Sequence, residues 1–402
     1  MLPGPLARLV DRLRPDDPDP PPGRGGGTAL VLTGGGARAA YQIGLLRGIA
    51  RAAPGFRPDV VTGVSAGALN GALLVSRAGA GFGAAVEHLA GVWSGLEADD
   101  VYRLDRPTVA GALARFVRRP SEIAPPAEGG FLDTTPLREF VERTLGPAGE
   151  PMPEVAAAVD AGHVRSFAVT TTSYTTGESV TWVQGGEAEA WDRPMRRAVR
   201  TRLRAEHVLA SAALPFFFPA VALDDDVLGH GWYGDGGIRL TAPLSPALQL
   251  GADKVLVVNT RYGQSRREAA APKVTAYPPP TRILGVLLNA VFLDVLDRDA
   301  QTLQRLNALL EATPRSQWGG FRPVDLLVLR PSVDLGALAA GFEPVLPPSM
   351  RLVMNGLATG DGASPDWLSM LLFEPAYIER LTAIGEADGE AQAEEIAAFL
   401  AA

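Results

Sequence analysis

The sequence predicts an α/β fold built around a mainly parallel sheet. Two strand–loop–helix units follow one another near the start of the chain, within residues 28–52 and 56–78. Further apolar, β-branched runs occur at 166–183, 254–260 and 324–332, with helical stretches between them. Because strands that alternate with helices pair in parallel, the functional loops are expected at the carboxyl ends of the strands.

Each element of the first unit has its own signal in the sequence. The run Thr28–Thr33 is typical of a short buried strand, Gly34–Gly36 of a loop, and Ala37–Ala52 of a helix. Near the end of the chain, an amphipathic helix is predicted from about Arg282 to Glu311. The final stretch 390–402 predicts a helix that docks through a narrow apolar face.

The composition is that of a globular protein, and it limits the chemistry. With 402 residues, 47% of them apolar and 20% charged, the chain is long enough for one large domain or two smaller ones. A net charge of −8 without a dense basic stripe argues against nucleic acid as a partner. The chain has no cysteine, and its four histidines lack zinc-binding spacing. No metal site and no cofactor are therefore predicted.

Three segments are predicted along the chain. Residues 1–27 have the composition of a disordered Pro/Gly-rich leader rather than an export signal, 28–260 form the core, and 261–402 form a linker and a helical extension packed on the core. Asp99–Gly130 is an irregular insertion, either a lid or a plain surface excursion. The longest apolar run, within 283–296, is too short and too interrupted to span a bilayer. We therefore expect a cytoplasmic protein that is soluble or peripheral to the membrane.

The glycine corner of the second unit contains a candidate nucleophile, Ser65. The segment Gly63–Gly67 matches G-x-S-x-G, in which the serine occupies a strained turn and small residues relieve crowding on either side. A plain strand-to-helix turn is the alternative, but the strand before it and the small-residue helix after it supply the context of a nucleophile elbow. The helix start also directs backbone N–H groups towards Ser65.

The loop Gly34–Gly36 leaves successive backbone N–H groups unshielded, which suits an anion. Two interpretations compete. Together with Ala39 the loop satisfies the dinucleotide fingerprint G-x-G-x-x-A, but that motif needs an acid at the end of the second strand, and Asp59 lies at its beginning. The other interpretation is an oxyanion hole, whose N–H groups stabilise charge on a carbonyl oxygen.

A serine nucleophile needs a base, and the usual late histidine is missing. An α/β-hydrolase places its histidine after the acid, whereas no histidine follows His230 in this chain. Asp235, flanked by Gly234, Gly236 and Gly237, is the alternative candidate, although in isolation its surroundings are typical of a turn aspartate.

Together, the three motifs resemble those of the patatin-like phospholipases. In that family a G-G-G-x-R/K-G loop forms the oxyanion hole, G-x-S-x-G carries the nucleophile, and D-G-G/A carries the aspartate of a Ser–Asp dyad. The resemblance covers about Thr28–Thr260 and extends to segments such as "FLDTTPLREFVERTL" and "ASAALPFFFPAV". Ala39 stands where the family usually has glycine.

The resemblance implies a three-layer α/β/α sandwich with a patatin-like catalytic core and metal-free hydrolysis of acyl esters in lipids. Arg38 would support the loop electrostatically; its alternative role is an exposed helix arginine. The implied catalytic residues are Ser65 as nucleophile and Asp235 as general base. The implied oxyanion-hole residues are Gly34, Gly35, Gly36 and Arg38.

The implied substrate is a phospholipid or lysophospholipid, and the membrane surface is a candidate contact. No nucleic-acid partner is expected, and no protein partner is identifiable from the sequence. Three alternatives stay open: a non-lipid carboxylesterase or thioesterase, a nucleotide-binding α/β protein that uses Gly34–Gly36, and a lipid-binding module with a decayed site. Phe216–Phe218 are expected in the core or along an acyl-chain pocket, because such pockets are apolar.

Overall fold

The computed structural model describes residues 26–103, 132–186, 191–264, 267–268, 295–345 and 365–401. The predictions for the leader, for most of the Asp99–Gly130 insertion and for residues 282–294 lie outside the described residues.

Ten described strands form one mixed sheet. They are β1 (Thr28–Leu32), β2 (Val60–Val64), β3 (Ser166–Ser173), β4 (Ser179–Gly185), β5 (Asp192–Arg193), β6 (Arg196–Arg200), β7 (Val221–Asp225), β8 (Gly229–Asp235), β9 (Lys254–Val258) and β10 (Asp325–Leu329). Their order is β10-β9-β1-β2-β3-β4-β6-β5, and the five strands from β10 to β3 are mutually parallel. β4 is antiparallel to β3, as is β8, which also pairs with β7.

The α-helices of the described ranges surround this sheet. They are α1 (Ala40–Ala52), α2 (Ala66–Ser76), α3 (Phe82–Ser94), α4 (Ala98–Val101), α5 (Thr135–Leu145), α6 (Pro153–Asp160), α7 (Ala205–Ser211), α8 (Ser245–Gln249), α9 (Val295–Glu311), α10 (Leu335–Ala339), α11 (Pro365–Leu371), α12 (Pro375–Ala391) and α13 (Ala393–Ala401). Short 3₁₀ helices occur at Gly36–Ala39, Ala78–Ala80, Gly236–Ile238, Arg315–Gln317 and Ala340–Val345. In the described part, no helix has both the length and the apolar composition needed to cross a membrane.

Two hydrophobic clusters cover the two faces of the sheet, as strand alternation requires. Leu30 and Leu32 of β1 pack with residues of α1, α2, α3 and α12. Ala29 and Val31 pack on the opposite face, against residues of α8 and α9. The central parallel strands β1 and β2 are buried on both faces, which explains their continuous apolar sequences. The predicted α/β/α sandwich is confirmed.

The first predicted helix differs at its start. The glycine loop is joined to the helix by a 3₁₀ turn at Gly36–Ala39, so α1 begins at Ala40 instead of Ala37. Ala39 has φ −66° and ψ −11°, an ordinary helical conformation, and its side chain is buried. A methyl group in place of the family's usual glycine therefore requires no unusual backbone.

The C-terminal residues pack closely on the core. α12 crosses α1 where Gly44 and Gly48 face Gly385 and Gly389, and a side chain at any of these glycines would meet the backbone of the opposite helix. A buried hydrogen bond from the Tyr41 hydroxyl to Asp388 Oδ2, 3.0 Å long, joins the same pair of helices. The predicted segment boundary at residue 260 stays a prediction. In the structure, β10 from the C-terminal segment pairs with β9, which precedes that boundary, in the same sheet.

Candidate active site

Ser65 lies at a strained corner between β2 and α2. Its φ of 56° and ψ of −133° are unusual for a residue with a side chain, and such strain is often found at active sites. A Cβ on Gly63 would lie 2.7 Å from Ala68 Cα, and a Cβ on Gly67 would meet the Leu32 carbonyl. The backbone on both sides of Ser65 is therefore so crowded that only glycine fits.

The register of the sheet places Asp235 beside Ser65. β2 pairs with β3 up to Val64, which lies opposite Thr170. The next residue of β3, Thr171, lies opposite Asp235 of β8. β4 pairs with the other edge of β3 as far as Thr172. β2 and β8 therefore pair with the same edge of β3, and β8 begins to pair where β2 ends and the chain turns at Ser65. The last residue of β8 thus meets the first residue after β2.

The Asp235 carboxyl is enclosed by the fold. The residue is 1% exposed, and its Oδ1 accepts a 2.8 Å hydrogen bond from the Gly237 N–H. Its Oδ2 is buried and has no partner of good hydrogen-bond geometry among the described residues. Burial raises the pKa of Asp235 to about 6, although the Ser65 hydroxyl and the Gly237 N–H act in the opposite direction. Oδ2 is therefore the carboxyl oxygen that the Gly237 N–H does not engage.

The glycine loop lies directly against Ser65. A Cβ on Gly34 would be 2.9 Å from Ser65 Cβ, and Gly35 and Gly36 have φ values of 152° and 56°, which favour glycine. Thr260, just after β9, donates a 2.6 Å hydrogen bond from Oγ1 to the Gly34 carbonyl. β9, β1 and β2 are neighbours, so the residues that follow them share one edge of the sheet.

A buried chain of hydrogen bonds supports the base of this loop. The Trp93 indole donates to Asn70 Oδ1 at 2.8 Å, and Asn70 Nδ2 donates to Gln42 Oε1 at 2.8 Å. Gln42 Nε2 in turn donates to the carbonyls of Thr33 and Val258, at 2.9 and 3.2 Å. Thr33 directly precedes the glycines, so this polar network fixes the residue from which the loop departs.

Ser211, at the end of α7, holds the backbone of Ser65 itself. The Ser65 N–H donates a 2.9 Å hydrogen bond to Ser211 Oγ, which donates onward to the Thr170 carbonyl at 2.7 Å. Ser211 is fully buried. It thereby accepts the hydrogen bond of the Ser65 N–H, which lies between β2 and α2 and has no partner in the sheet.

These elements enclose one cleft with an empty volume of about 820 Å³, part of which is open to solvent. Ser65, Asp235 and the three glycines of the loop all line it. Most of its remaining surface is apolar and comes from Leu69, Trp93, Leu96, Val101, Leu137, Leu214, Phe218, Met370, Leu371 and Phe373. Such a composition suits the apolar part of a ligand.

The sequence model of the patatin-like phospholipases matches residues 30–248, more than half of the chain. The protein belongs to the patatin-like phospholipase family. This confirms the resemblance and assigns the chain to a family of lipid acyl hydrolases. A search of curated proteins finds no significant match.

Solved structures give weaker similarities. VipD from Legionella pneumophila is 14% identical over 92% of this chain and 67% of its own, with a TM-score of 0.34. Human GIVD cytosolic phospholipase A2 in complex with methyl gamma-linolenyl fluorophosphonate, without and with terbium chloride, is 14% and 13% identical. Each comparison covers 98% of this chain and 61% of the phospholipase chain, with a TM-score of 0.41. These values are too low to assign a function.

The structure brings five of the six predicted site residues of this patatin-like chain to one cleft. Arg38 is the exception, since it is absent from the described cleft lining. It is also not the exposed helix arginine of the alternative interpretation. Its side chain is 3% exposed, and Nε donates a 2.6 Å hydrogen bond to Ser369 Oγ of α11.

The expectation for the three phenylalanines holds only in part. Phe217 is buried in the core and Phe218 lines the cleft, whereas Phe216 is 55% exposed with a φ of 69°. The backbone turn at Phe216 therefore places the three consecutive phenylalanine side chains in solvent, in the core and in the cleft.

The nucleotide-binding alternative finds no support in the geometry. Asp59 lies at the amino ends of β1 and β2, where its Oδ2 accepts a 2.8 Å hydrogen bond from the Thr28 N–H. It is therefore at the opposite edge of the sheet from the glycine loop, and no acid at the carboxyl end of β2 fits the fingerprint. Within the described ranges, no group of three acidic or histidine side chains could hold a metal ion.

Sequence reasoning missed Ser211, Thr260 and Ser369 as supporting residues. Ser211 lies inside "ASAALPFFFPAV", a segment that resembles family sequences, and Thr260 follows a predicted strand at the functional edge of the sheet. Those two signals could have indicated a role near the site. Nothing in the local sequence of Ser369 does so.

Proposed function

We propose that the protein is a serine acyl hydrolase that cleaves acyl ester bonds of phospholipids or related lipids. Ser65 is the nucleophile, Asp235 is the general base, and the backbone N–H groups of Gly34–Gly36 stabilise the oxyanion. The observation that carries the proposal is the sheet register that brings the buried Asp235 carboxyl beside the strained Ser65.

The properties of Asp235 support its role as base. An exposed aspartate, with a pKa near 3.9, is too weak a base to accept a serine proton efficiently. Burial raises the pKa of Asp235 to about 6, so the group is a stronger base and yet mostly ionised at neutral pH.

The histidines offer no alternative base. All four lie in the described part, and none lines the cleft. His207 is buried against Trp182, and burial lowers its pKa to about 3. His230 is exposed at the β7–β8 hairpin, where Nδ1 lies 2.9 Å from Asp224 Oδ1.

The peptide geometry of the loop supports an oxyanion hole. Described peptide bonds are all trans, so the C=O and N–H of one peptide unit point in opposite directions. Since the Gly34 carbonyl is held by Thr260, the Gly35 N–H points away from Thr260. No described residue accepts a hydrogen bond from the Gly35 or Gly36 N–H, which leaves both donors for a ligand oxygen.

The reaction proceeds in two acyl-transfer steps. Ser65 Oγ attacks the ester carbonyl while its proton passes to Asp235, and the loop N–H groups stabilise the negative oxygen. The tetrahedral intermediate collapses, and the alcohol leaves with the proton from Asp235. Water then attacks the acyl-enzyme with Asp235 again as base, releasing the fatty acid and restoring Ser65.

Labelling and hydrolysis together test this proposal. A fluorophosphonate probe should modify wild-type protein at Ser65, identified by mass spectrometry, and should fail to label Ser65→Ala. Pure protein should hydrolyse phospholipids or lysophospholipids faster than short nitrophenyl esters or acyl thioesters. Labelling without lipid hydrolysis would favour the carboxylesterase or thioesterase alternative, and absence of labelling at Ser65 would contradict the nucleophile.

A further inference from the structure

The oxyanion loop is contacted by a C-terminal segment beyond residue 248, where the match to the family model ends. This segment, residues 368–373, comprises the end of α11 and the turn that follows. Its Ser369 is fully buried and accepts the 2.6 Å hydrogen bond from Arg38 Nε. One residue further, the Met370 carbonyl fills the space that a side chain on Gly36 would need.

The segment 368–373 is held in place on the cleft side. The Leu371 carbonyl accepts a 2.6 Å hydrogen bond from the buried Tyr102 hydroxyl. Phe373 stacks on Trp93 with the ring centroids 6.2 Å apart. Met370, Leu371 and Phe373 line the same cleft as Ser65. The segment is therefore part of the wall of the site and not a remote extension.

Arg38 connects this segment to the oxyanion loop. Its backbone N–H donates a 3.2 Å hydrogen bond to the Gly35 carbonyl, which closes the turn that presents the loop. A buried guanidinium requires hydrogen-bond acceptors, because leaving one of its N–H groups unpaired is costly. The acceptor supplied by Ser369 is thus one of the contacts that hold the side chain of the residue that closes the turn.

We propose that Ser369 is a positioning residue for the oxyanion loop, acting through Arg38. The inference rests on the proposed function, since it concerns the loop of the same site. The loop N–H groups must lie within a narrow distance of the developing oxyanion, and a misplacement of about 1 Å costs up to about 100-fold in rate. Loss of the Ser369 acceptor should therefore lower kcat about 10-fold or more and leave KM within about 2-fold.

A double-variant cycle tests the proposal with lipid ester hydrolysis as the assay. The variants are Ser369→Ala, Arg38→Met and their combination. If Ser369 acts through Arg38, the combined variant should have the kcat of Arg38→Met alone. The matched control is Thr382→Val, which removes a hydroxyl of α12 that donates to the Ile378 carbonyl at 2.9 Å and lies 3.3 Å from the Ala40 carbonyl of α1. Its kcat should equal that of wild type.

The outcomes separate the two proposals. Wild-type protein that neither reacts with fluorophosphonate nor hydrolyses esters contradicts the proposed function itself. Active wild type with a folded Ser369→Ala of unchanged kcat overturns the positioning role alone, as do independent, multiplicative losses in the combined variant. If Ser369→Ala does not fold, Ser369→Cys decides, because it keeps the volume but is a poor acceptor. Wild-type kcat in folded Ser369→Cys overturns the role, and a loss in kcat without a change in KM supports it.

Discussion

Replacing Asp235 by asparagine should stabilise the protein while abolishing turnover. Burial raises the pKa of this carboxyl to about 6 in the folded protein, against about 3.9 for an exposed aspartate. The folded state therefore binds the proton more tightly than the unfolded state, and stability falls as the pH rises from about 4 to about 6. At 1.36 kcal/mol per unit, the ionised carboxylate costs about 3 kcal/mol at neutral pH. Asparagine keeps the shape and carries no charge.

Urea unfolding of wild type and Asp235→Asn between pH 4 and 8 checks this prediction. The two proteins should be about equally stable near pH 4, and the asparagine variant should gain about 3 kcal/mol over wild type by pH 7. The control is Asp133→Asn, because hydrogen bonding to Thr135 lowers the pKa of Asp133. That variant should lose stability at neutral pH instead. Two results would refute the reasoning. One is a difference in unfolding free energy between the two proteins that does not change with pH, and the other is an advantage of Asp235→Asn over wild type that is smaller at pH 7 than at pH 4.

Three further predictions concern the same site. First, kcat/KM should rise with pH through an apparent pKa of about 6, as a pH–rate profile would show, because only ionised Asp235 accepts the proton. Second, Gly36→Ala should lower kcat by about 100-fold, because the methyl meets the Met370 carbonyl at a φ of 56°; Gly91→Ala, with open space around it, should keep wild-type kcat. Third, Ser211→Ala should cost about 1–3 kcal/mol in thermal or urea unfolding and lower kcat, since it leaves the buried Ser65 N–H without its acceptor.

The sequence predicted those parts of the site that require particular residue types next to each other along the chain. β1 and β2 were identifiable because strands buried on both faces have continuous apolar runs. The crowding around Ser65 requires glycine at positions 63 and 67, which leaves a visible pattern. Gly236 is similar, because a side chain there would meet the Thr170 carbonyl. The crowding atoms at Gly67 and Gly236 come from distant parts of the chain, but the glycines themselves stand within two residues of Ser65 and Asp235, so the motifs can be recognised without the fold.

The contacts of the supporting residues could not be predicted because the two partners are distant along the chain. Ser211 lies 146 residues from Ser65, Thr260 lies 226 from Gly34, and Ser369 lies 331 from Arg38. The segments of Ser211 and Thr260 indicate a place near the site, but no local feature shows which atom each hydroxyl contacts, and the segment of Ser369 carries no such signal. The burial of Arg38 also depends on a contact that is distant along the chain, because Ser369 of α11 packs against it.

The central claim is that Asp235, without a histidine, activates Ser65, and turnover numbers across one set of variants test it most directly. Ser65→Ala and Asp235→Asn should each remove nearly all turnover, and the double variant should be hardly worse than either, because the two residues act as a unit. Single replacement of His88, His163, His207 and His230 should leave kcat within about tenfold of wild type. A folded His230→Ala protein that loses as much activity as Ser65→Ala would contradict the dyad and indicate a histidine-based triad.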